Sequence, residues 1–348
     1  MTGVDALIQE YLDRAMALHA VGYASRADID LAMRLGCGLP AGPFEMLGVS
    51  SEALAPPPPL DAAGARTVHR IGVLGSGTMA TGIAEVAARA GYATVLVSRD
   101  PERARAASAR IARRLDKAVG RCRLTAAAAA DTMGRLVTGA DRTALAPCDL
   151  VVEAVAEDPA VKDKVFRELD WICRPGAVLA TTTSSLSVAA CAAATDRPEE
   201  VVGMHFFNPA PMMRLVELIR TAKTPPGVLA TAAAVCGQLG KTPVVCDDRP
   251  GFIVNYLLFP YLNSAIRLLE GGGTTAKDID DAVTHRYGFP MGPFALLDVV
   301  GLDVSLAIQQ TLHLAYPGQA LDAATMLGEL VAGGRLGRKN GLGFHSYG

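Results

Sequence analysis

A glycine-rich turn constrains the fold of this chain more than any other sequence feature. It follows the short apolar run Arg70–Leu74, reads GSGTMA over residues 75–80, and leads into a segment of helical composition. Gly75 permits a tight turn, Gly77 lets a pyrophosphate approach the backbone, and Ala80 is small enough for helix and strand to pack closely. The following helix presents free N–H groups and its positive dipole end to bound phosphates. The predicted cofactor-binding residues of this turn are Gly75, Gly77, Thr78 and Met79.

Short apolar runs alternate with helical segments through the middle of the chain. The predicted strands are residues 70–74, 94–97, 150–155, 177–182 and 201–205, and residues 159–173 are a predicted helix. This alternation predicts an α/β fold, with a doubly wound, mostly parallel sheet of the Rossmann type covered by helices on both faces. Beyond residue 250 the segments 252–270, 275–287 and 302–315 look helical. We therefore predict a dinucleotide-binding domain over residues 67–248 and a mainly helical C-terminal domain over residues 249–348.

The chain contains an internal repeat. A shift of 250 positions places residues 11–49 over 261–299 without a gap, and 16 of the 39 positions are identical. Chance would give about two or three identities, and both segments carry a P-x-G-P-F turn at the same offset. Residues 1–54 are therefore predicted to be a helical extension that resembles 261–299. The proline-rich stretch 55–66 that follows is predicted to be an extended linker.

Composition limits the classes of function. Half of the 348 residues are apolar, and 33 basic against 35 acidic residues give a net charge of −2, which argues against nucleic acid as the main partner. No apolar run reaches the roughly 18 residues of a membrane span, and the acidic N-terminus does not resemble a signal peptide. The seven cysteines are scattered and never spaced C-x-x-C, which predicts reduced thiols in a cytoplasmic protein and no metal site.

The end of the second predicted strand bears on the choice between NAD and NADP. NAD-binding folds usually place an acidic residue there, which accepts hydrogen bonds from the ribose. This chain has Ser98 followed by Arg99, and Asp100 comes one or two residues late. Serine can donate to a 2′-phosphate and arginine can pair with it, so the sequence favours NADP. Two alternatives stay open: a shifted loop that brings Asp100 to the ribose, and a surface turn that caps the next helix.

Among the six histidines, His205 has the context expected of a catalytic group. It ends a predicted strand and opens the sequence HFFNP, and ligands of open α/β sheets bind at the carboxyl ends of strands. Twelve residues later Glu217 lies in the apolar run LVELI, where a buried carboxylate needs a partner. A His–Glu pair would satisfy this need, because the carboxylate orients the ring and stabilises the imidazolium formed when His205 removes a hydroxyl proton. From the residues alone, this pairing and two unrelated side chains are equal alternatives.

Seven segments, in order, resemble the L-3-hydroxyacyl-CoA dehydrogenase family, which includes 3-hydroxybutyryl-CoA dehydrogenases. They are GSGTMATGIA, CDLVVEAVAED, TSSLS, GMHFFNPAPMMRLVELI, PGFIVN, YGFPMGPFALLDVVGLD and GRLGRKNGLGF, and they extend from about residue 69 to the end. The resemblance implies an NAD(P)-dependent oxidoreductase that transfers a hydride between nicotinamide and C3 of a short-chain 3-hydroxyacyl-CoA. It implies His205 as general base and Glu217 as its carboxylate partner. The other roles it implies are hydrogen bonds to the reacting oxygen from Ser184 and Asn208, a polar substrate contact from Asn255, and a position beside the nicotinamide for Glu157.

Three positions depart from the usual pattern of this family. Besides Ser98, Thr182 stands where N-T-S-S-L usually has asparagine, and Tyr256 replaces the basic residue usual after PGF-[IV]-V-N. These changes leave open a substrate carried on an acyl carrier protein, such as a glyceryl unit in a polyketide pathway. An arginine-rich face would suit the 3′-phosphate of CoA, an acidic carrier or plain solvent equally: Arg103, Arg105, Arg110, Arg113 and Arg114. The remaining alternative is a non-catalytic dinucleotide-binding protein, which the joint presence of the implied site residues disfavours.

The repeated segment allows two assemblies. It is either an internal pseudo-symmetric partner that docks on the C-terminal domain and favours a monomer, or an added arm within an ordinary homodimer. The N-terminal copy has no equivalent of HFFNP or of Asn255, so no catalytic role is predicted for it.

Overall fold

The computed structural model describes residues 3–50, 52–54 and 64–348. The chain divides into two compact units: the Rossmann unit is Pro58–Asp248, and the helical unit is Met1–Pro57 together with Arg249–Gly348. The N-terminal segment therefore belongs to the same unit as the C-terminal helices. The predicted linker, residues 55–66, falls largely on residues 55–63, which lie outside the described residues.

Within the described part of the Rossmann unit, eight strands form one sheet. They are β1 (Arg70–Leu74), β2 (Ala93–Val97), β3 (Leu136–Gly139), β4 (Leu150–Glu153), β5 (Val178–Thr181), β6 (Val201–Phe206), β7 (Leu215–Arg220) and β8 (Thr242–Asp247). Their order in the sheet is β3-β2-β1-β4-β5-β6-β7-β8, and all neighbours run parallel except β6 and β7. This topology confirms the predicted α/β fold with a mostly parallel sheet.

The described residues also contain fourteen α-helices. They are α1 (Gly3–Ala20), α2 (Arg26–Cys37), α3 (Pro43–Met46), α4 (Thr78–Arg89), α5 (Pro101–Gly120), α6 (Ala126–Gly134), α7 (Pro159–Ile172), α8 (Val188–Ala193), α9 (Pro226–Gln238), α10 (Val254–Glu270), α11 (Ala276–Tyr287), α12 (Pro293–Val300), α13 (Leu302–Ala315) and α14 (Thr325–Ala332). Helices α4 to α9 belong to the Rossmann unit and the others to the helical unit. Across the described residues, no single helix is long and apolar enough to cross a membrane. The consecutive helices α12 and α13 together have sufficient length and apolar composition, but they are bent by 99° relative to each other.

The parallel strands β4, β5 and β6 are buried at every position. Strands covered on both faces become continuous apolar runs, which is why the sequence reveals them clearly. Because β1, β2, β4, β5 and β6 all run in the same direction, their carboxyl ends form one edge of the sheet. Ligands of open α/β sheets bind at this edge.

Three strands were missed by the sequence patterns, and each has a physical reason. β3 is only four residues long and partly exposed. β7 carries the ionisable Glu217 among apolar residues. β8 contains Pro243, which argues against a central strand but is tolerated here because β8 lies at the edge of the sheet.

Both copies of the repeat fold around the same buried aspartate. Asp30 accepts hydrogen bonds from the backbone N–H groups of residues 44 and 45 at 2.8 and 2.9 Å. Asp280, 250 positions later, accepts from those of residues 294 and 295 at 2.8 and 3.0 Å. The glycine of each P-x-G-P-F turn, Gly42 or Gly292, packs so closely against this aspartate that a Cβ would collide with it. In each copy, the close packing of the aspartate therefore requires glycine at this position of the turn.

Candidate active site

The glycine-rich turn joins β1 to α4 at the carboxyl edge of the sheet. Gly75 has a φ of 142°, which side chains rarely adopt, and a Cβ there would collide with the carbonyl oxygen of Ala154. Gly77 directly precedes α4, and a Cβ there would meet nothing within 4 Å. Thr78 and Met79 open α4, where backbone N–H groups lack partners inside the helix. The turn therefore combines open space with backbone donors, as an anion site requires.

A cavity of ≈ 440 Å³ lies beside this turn. Its volume is in the range of small-molecule and cofactor pockets, which are mostly apolar with a few polar groups. Its lining includes residues 75–77, the apolar side chains of Val97 and Val161, and three arginines, Arg99, Arg103 and Arg142. This combination of a glycine turn, apolar walls and cations fits a dinucleotide.

The residues after β2 form the cationic end of this cavity. The Ser98 hydroxyl is buried and has no hydrogen-bond partner within the part of the chain that the structure describes. Arg99, next to it, is exposed. Asp100 caps α5, because its carboxylate accepts from the Arg103 N–H at 2.8 Å and pairs with the Arg103 guanidinium at 3.2 Å. Asp100 is therefore engaged with the start of the helix, whereas Arg99 lines the cavity and Ser98 is buried directly before it.

His205 and Glu217 lie directly opposite each other on the antiparallel strands β6 and β7. Opposite residues of an antiparallel pair project from the same face, so this register brings the two side chains together. His205 Nδ1 lies 2.7 Å from Glu217 Oε2. Glu217 is wholly buried, and His205 is 6% exposed with the Phe207 ring 4.6 Å from its own. The imidazole is thus held in one orientation by a carboxylate and an aromatic ring.

Glu157 connects the loop after β4 to the loop after β5. Its Oε1 accepts hydrogen bonds from the Ser184 N–H at 2.8 Å and from the Thr183 hydroxyl at 2.6 Å. Burial acts to raise the pKa of Glu157, but the Lys162 ammonium and these hydrogen bonds outweigh it and hold the pKa below its ordinary value. Glu157 is therefore an anion that fixes the backbone of Ser184.

Sequence reasoning missed a buried lysine behind this loop. Lys162 Nζ lies 2.8 Å from Glu153 Oε2 and 3.3 Å from Glu157 Oε2. Glu153 also accepts from the Thr181 hydroxyl at 2.6 Å. The signal was available, because Glu153 ends the apolar run LVVE and a buried carboxylate needs a partner, as for Glu217.

The two asparagines of the predicted site occupy different units. Asn208 is exposed and lies two residues beyond β6, where it forms a cis peptide bond with Pro209. Asn255 is buried on the first turn of α10 in the helical unit. Within the Rossmann unit, the carboxyl edge of the sheet gathers the glycine turn, Ser98, Glu157, Ser184 and the His205–Glu217 pair.

Both units match models of one protein family. The model of the NAD-binding domain of 3-hydroxyacyl-CoA dehydrogenase matches residues 70–249. The model of the C-terminal domain of 3-hydroxyacyl-CoA dehydrogenase matches residues 251–347 and also residues 4–52. Both copies of the repeat therefore carry the pattern of that C-terminal domain.

Individual relatives agree with these matches. A 3-hydroxybutyryl-CoA dehydrogenase of Mycobacterium tuberculosis is 42% identical over 282 residues, which is 80% of this chain and 99% of that protein. The mitochondrial hydroxyacyl-coenzyme A dehydrogenase of Rattus norvegicus is 40% identical over 80% of this chain and 91% of its own length. The crystal structure of (S)-3-hydroxybutyryl-CoA dehydrogenase from Ralstonia eutropha matches with a TM-score of 0.78 and 36% identity, covering 81% of this chain and 100% of that one. With both domain models matched in order, the chain belongs to the 3-hydroxyacyl-CoA dehydrogenase family of oxidoreductases.

Proposed function

We propose that this protein oxidises short-chain 3-hydroxyacyl-CoA thioesters, such as 3-hydroxybutyryl-CoA, or reduces the corresponding 3-oxoacyl-CoA, with a nicotinamide cofactor. The observation that carries the proposal is the buried His205–Glu217 pair, 2.7 Å apart, at the sheet edge that also holds the glycine turn. A proton acceptor and a dinucleotide turn at one edge are what alcohol oxidation by hydride transfer requires. The names of the relatives support the substrate class.

In the proposed oxidation, the C3–H bond breaks with its electron pair and the C3 hydroxyl loses its proton, leaving a ketone. With the phosphates of the dinucleotide held by residues 75–77 and the start of α4, its nicotinamide would supply the hydride acceptor. His205 takes the proton at Nε2, because Nδ1 faces Glu217. Glu217 keeps the other ring proton on Nδ1 and stabilises the imidazolium that forms. In the reverse direction, His205 returns the proton to the alkoxide oxygen.

Neutral hydrogen bonds to the reacting oxygen complete the proposal. Ser184 and Asn208 are suited to this role, because a hydroxyl and an amide donate without competing for the proton. The hydrogen bond from the Ser184 N–H to Glu157 supports a fixed position for the serine. Glu157 itself is proposed to lie beside the nicotinamide, and Asn255 is proposed as a further substrate-binding residue on its PGFIVN context alone.

The test compares wild type, His205→Ala and His69→Ala with acetoacetyl-CoA and either NADH or NADPH. His69 is a matched control, because it is an exposed histidine of the same unit. We expect wild type and His69→Ala to reduce the substrate, and His205→Ala to lose about 10²–10⁴ in kcat, as loss of a general acid–base does. Equal rates for all three proteins would refute the catalytic role of His205. If the wild type is inactive with the CoA ester but active on a 3-oxoacyl group bound to an acyl carrier protein, the substrate is the carrier-bound thioester and not the CoA ester.

We also propose that the cofactor is NADP rather than NAD. The support is twofold: the buried Ser98 hydroxyl has no hydrogen-bond partner among the described residues, and the next residue, Arg99, lines the cavity with Arg103 and Arg142. A 2′-phosphate would accept a hydrogen bond from serine and pair with guanidinium groups. Arg103 and Arg142 already have acidic partners, Asp100 and Glu168, so Arg99 is the cation that we assign to the phosphate.

A cytoplasmic location and two assemblies complete this proposal. The seven cysteines are scattered and never spaced C-x-x-C, which suits reduced thiols in a reducing compartment. A homodimer and a pseudo-symmetric monomer are both compatible with the proposed chemistry, because His205, Glu217 and Ser184 belong to one Rossmann unit.

A further inference from the structure

The two copies of the repeat pack against each other inside the helical unit. Helix α1 lies along α10, its counterpart by the shift of 250 positions. Tyr11 and Tyr261 occupy equivalent positions, and their ring centroids are 5.8 Å apart. A residue that contacts its own equivalent lies on the axis of a two-fold relationship.

Reciprocal contacts confirm this symmetry away from the axis. A Cβ placed at Gly38 would lie 3.7 Å from Pro290, and one placed at Gly288 would lie 3.7 Å from Pro40. Under the shift of 250, each of these contacts is the image of the other. Such a pattern, in which i contacts j and j contacts i, is the signature of an isologous interface between two identical surfaces.

The interface is largely apolar. The face of α1 that is buried carries Leu7, Ile8, Tyr11, Leu12, Ala15 and Leu18. A cavity of ≈ 70 Å³ lies between the copies, lined among others by Tyr11, Met33, Leu258 and Phe289. A C-terminal helical domain without this cover would expose a self-complementary apolar patch, and such patches bind partners.

We propose that residues 3–50 occupy, within the chain, the surface on which a second copy of the C-terminal helical domain would otherwise pack, so that the protein is a monomer with an internal pseudo-dimer interface. Because both copies belong to one polypeptide, their association does not depend on protein concentration, whereas a second copy must be bound from solution. The proposal concerns assembly and is independent of the proposed reaction.

Four contacts of the N-terminal copy explain why it is preferred to a second chain. Asp5 pairs with Arg286 at 2.6 Å and accepts a hydrogen bond from the Tyr287 hydroxyl at 2.8 Å. Glu10 accepts from Ser264 at 3.0 Å, and Tyr23 lies under the Arg249 guanidinium at 4.5 Å.

A second copy of the C-terminal domain cannot reproduce these contacts. By the same shift, it would present Asn255, Pro260 and Gly273 in place of Asp5, Glu10 and Tyr23. The ion pair, the two hydrogen bonds and the cation–π contact would be lost. The N-terminal copy is therefore adapted to this surface beyond what symmetry alone provides.

The test is sedimentation velocity of the full chain over a wide range of protein concentration, beside three single variants. Tyr11→Asp places a charge on the N-terminal copy only, Tyr261→Asp places it on the shared surface, and Met16→Asp is a matched control at a 40% exposed position of α1. We expect the wild type and Met16→Asp to sediment as monomers of 36.2 kDa. Tyr11→Asp should form dimers as concentration rises, whereas Tyr261→Asp should stay monomeric because both modes of packing are lost.

A milder variant guards against unfolding. Asp5→Asn with Tyr23→Gly gives the N-terminal copy the residues that the C-terminal copy has at these positions, and it should raise the dimer fraction while circular dichroism stays that of wild type. A wild type that is dimeric at every concentration would overturn the proposal, whether the dimer is ordinary or exchanges its N-terminal segments. Folded Tyr11→Asp and Asp5→Asn/Tyr23→Gly variants that both stay monomeric would overturn it as well.

Discussion

Lys162 places its ammonium 2.8 Å from the carboxylate of Glu153 in the interior of the Rossmann unit, where the two residues are 2% and 0% exposed. The ion pair lies directly behind the loop that carries Ser184, because Glu157 contacts both Lys162 and the Ser184 N–H. A buried ion pair is costly to break, since removal of one partner leaves an uncompensated charge.

Lys162→Met should therefore destabilise the protein strongly. We expect the free energy of unfolding to fall by about 3–5 kcal/mol, the usual loss when one partner of a buried pair is removed. Urea denaturation followed by circular dichroism measures it. Lys164→Met, at an exposed position of the same helix, is the control and should change stability little. Equal midpoints for the two variants would show that the buried pair is energetically neutral.

Stability should also depend on pH through Glu157. Burial acts to raise the pKa of Glu157. The Lys162 ammonium and the hydrogen bonds to the carboxylate lower it by more, so the pKa lies below the ordinary 4.5. A depressed pKa contributes stability above the unfolded value, and this contribution is lost as pH falls through the folded value. The melting temperature should therefore drop below about pH 4.5, and Glu157→Gln should make this acid limb shallower. An unchanged limb in the variant would assign acid unfolding to other carboxylates.

The alkaline limb should report on Lys162. Burial acts to lower the pKa of Lys162. The Glu153 and Glu157 carboxylates raise it by more, so the pKa lies above the ordinary 10.5. This contribution is fully present below the unfolded pKa and is lost as pH rises through the folded one. Melting curves above about pH 10.5 should therefore show a loss of stability in wild type that Lys162→Met lacks. Parallel curves for both proteins would contradict this assignment.

Glu217→Gln should separate orientation from charge at the proposed catalytic pair. Glutamine keeps the size and an acceptor oxygen, so the ring of His205 keeps its place, but the imidazolium loses its carboxylate. We expect kcat to fall by about 10²-fold, with little change in the dissociation constant of the cofactor measured by nucleotide fluorescence. An undiminished kcat would leave His205 to act without Glu217, and a lost cofactor affinity would indicate a structural defect instead.

The cofactor preference should follow the residues after β2. Ser98→Asp should repel a 2′-phosphate and accept hydrogen bonds from ribose hydroxyls, which shifts the ratio of kcat/KM from NADPH toward NADH. Arg99→Ala should raise the KM for NADPH about tenfold, the loss expected for one charge-assisted hydrogen bond. Arg105→Ala, at an exposed position of α5 outside the cavity lining, is the control. A wild type that prefers NADH would make the NADP proposal wrong.

The sequence predicted the elements that are governed by local rules. The glycine turn, the fully buried strands β4 to β6 and the helices α7, α10, α11 and α13 follow from spacing, backbone conformation and apolar runs, and the structure has them within two residues. The shift of 250 positions revealed the repeat for the same reason, because Asp30, Gly42 and their counterparts form a local fold in each copy.

What escaped prediction depends on contacts between distant segments. The register of β6 and β7, which places His205 opposite Glu217, requires an antiparallel pair inside a parallel sheet. The partners of Lys162, on α7, are Glu153 and Thr181 at the ends of β4 and β5, so they follow from the tertiary fold and not from a local pattern. The packing of α1 on α10 bridges more than 240 residues, and the repeat predicted it only as one of two alternatives.

The buried aspartates Asp30 and Asp280 have a consequence for how the two copies diverged. Each carboxylate serves the backbone of its own copy, so a substitution there would damage that copy whichever surface it faces. Positions 5 and 255 are equivalent under the shift of 250, but the first copy has aspartate there and the second has asparagine. The two copies therefore differ unevenly along the segment. Residues that shape the turn are identical in both, whereas Asp5, Glu10 and Tyr23, where the copies contact each other, differ from their counterparts. In the assembly that we propose, the contact between the two copies is held within one polypeptide, so dilution would not dissociate it.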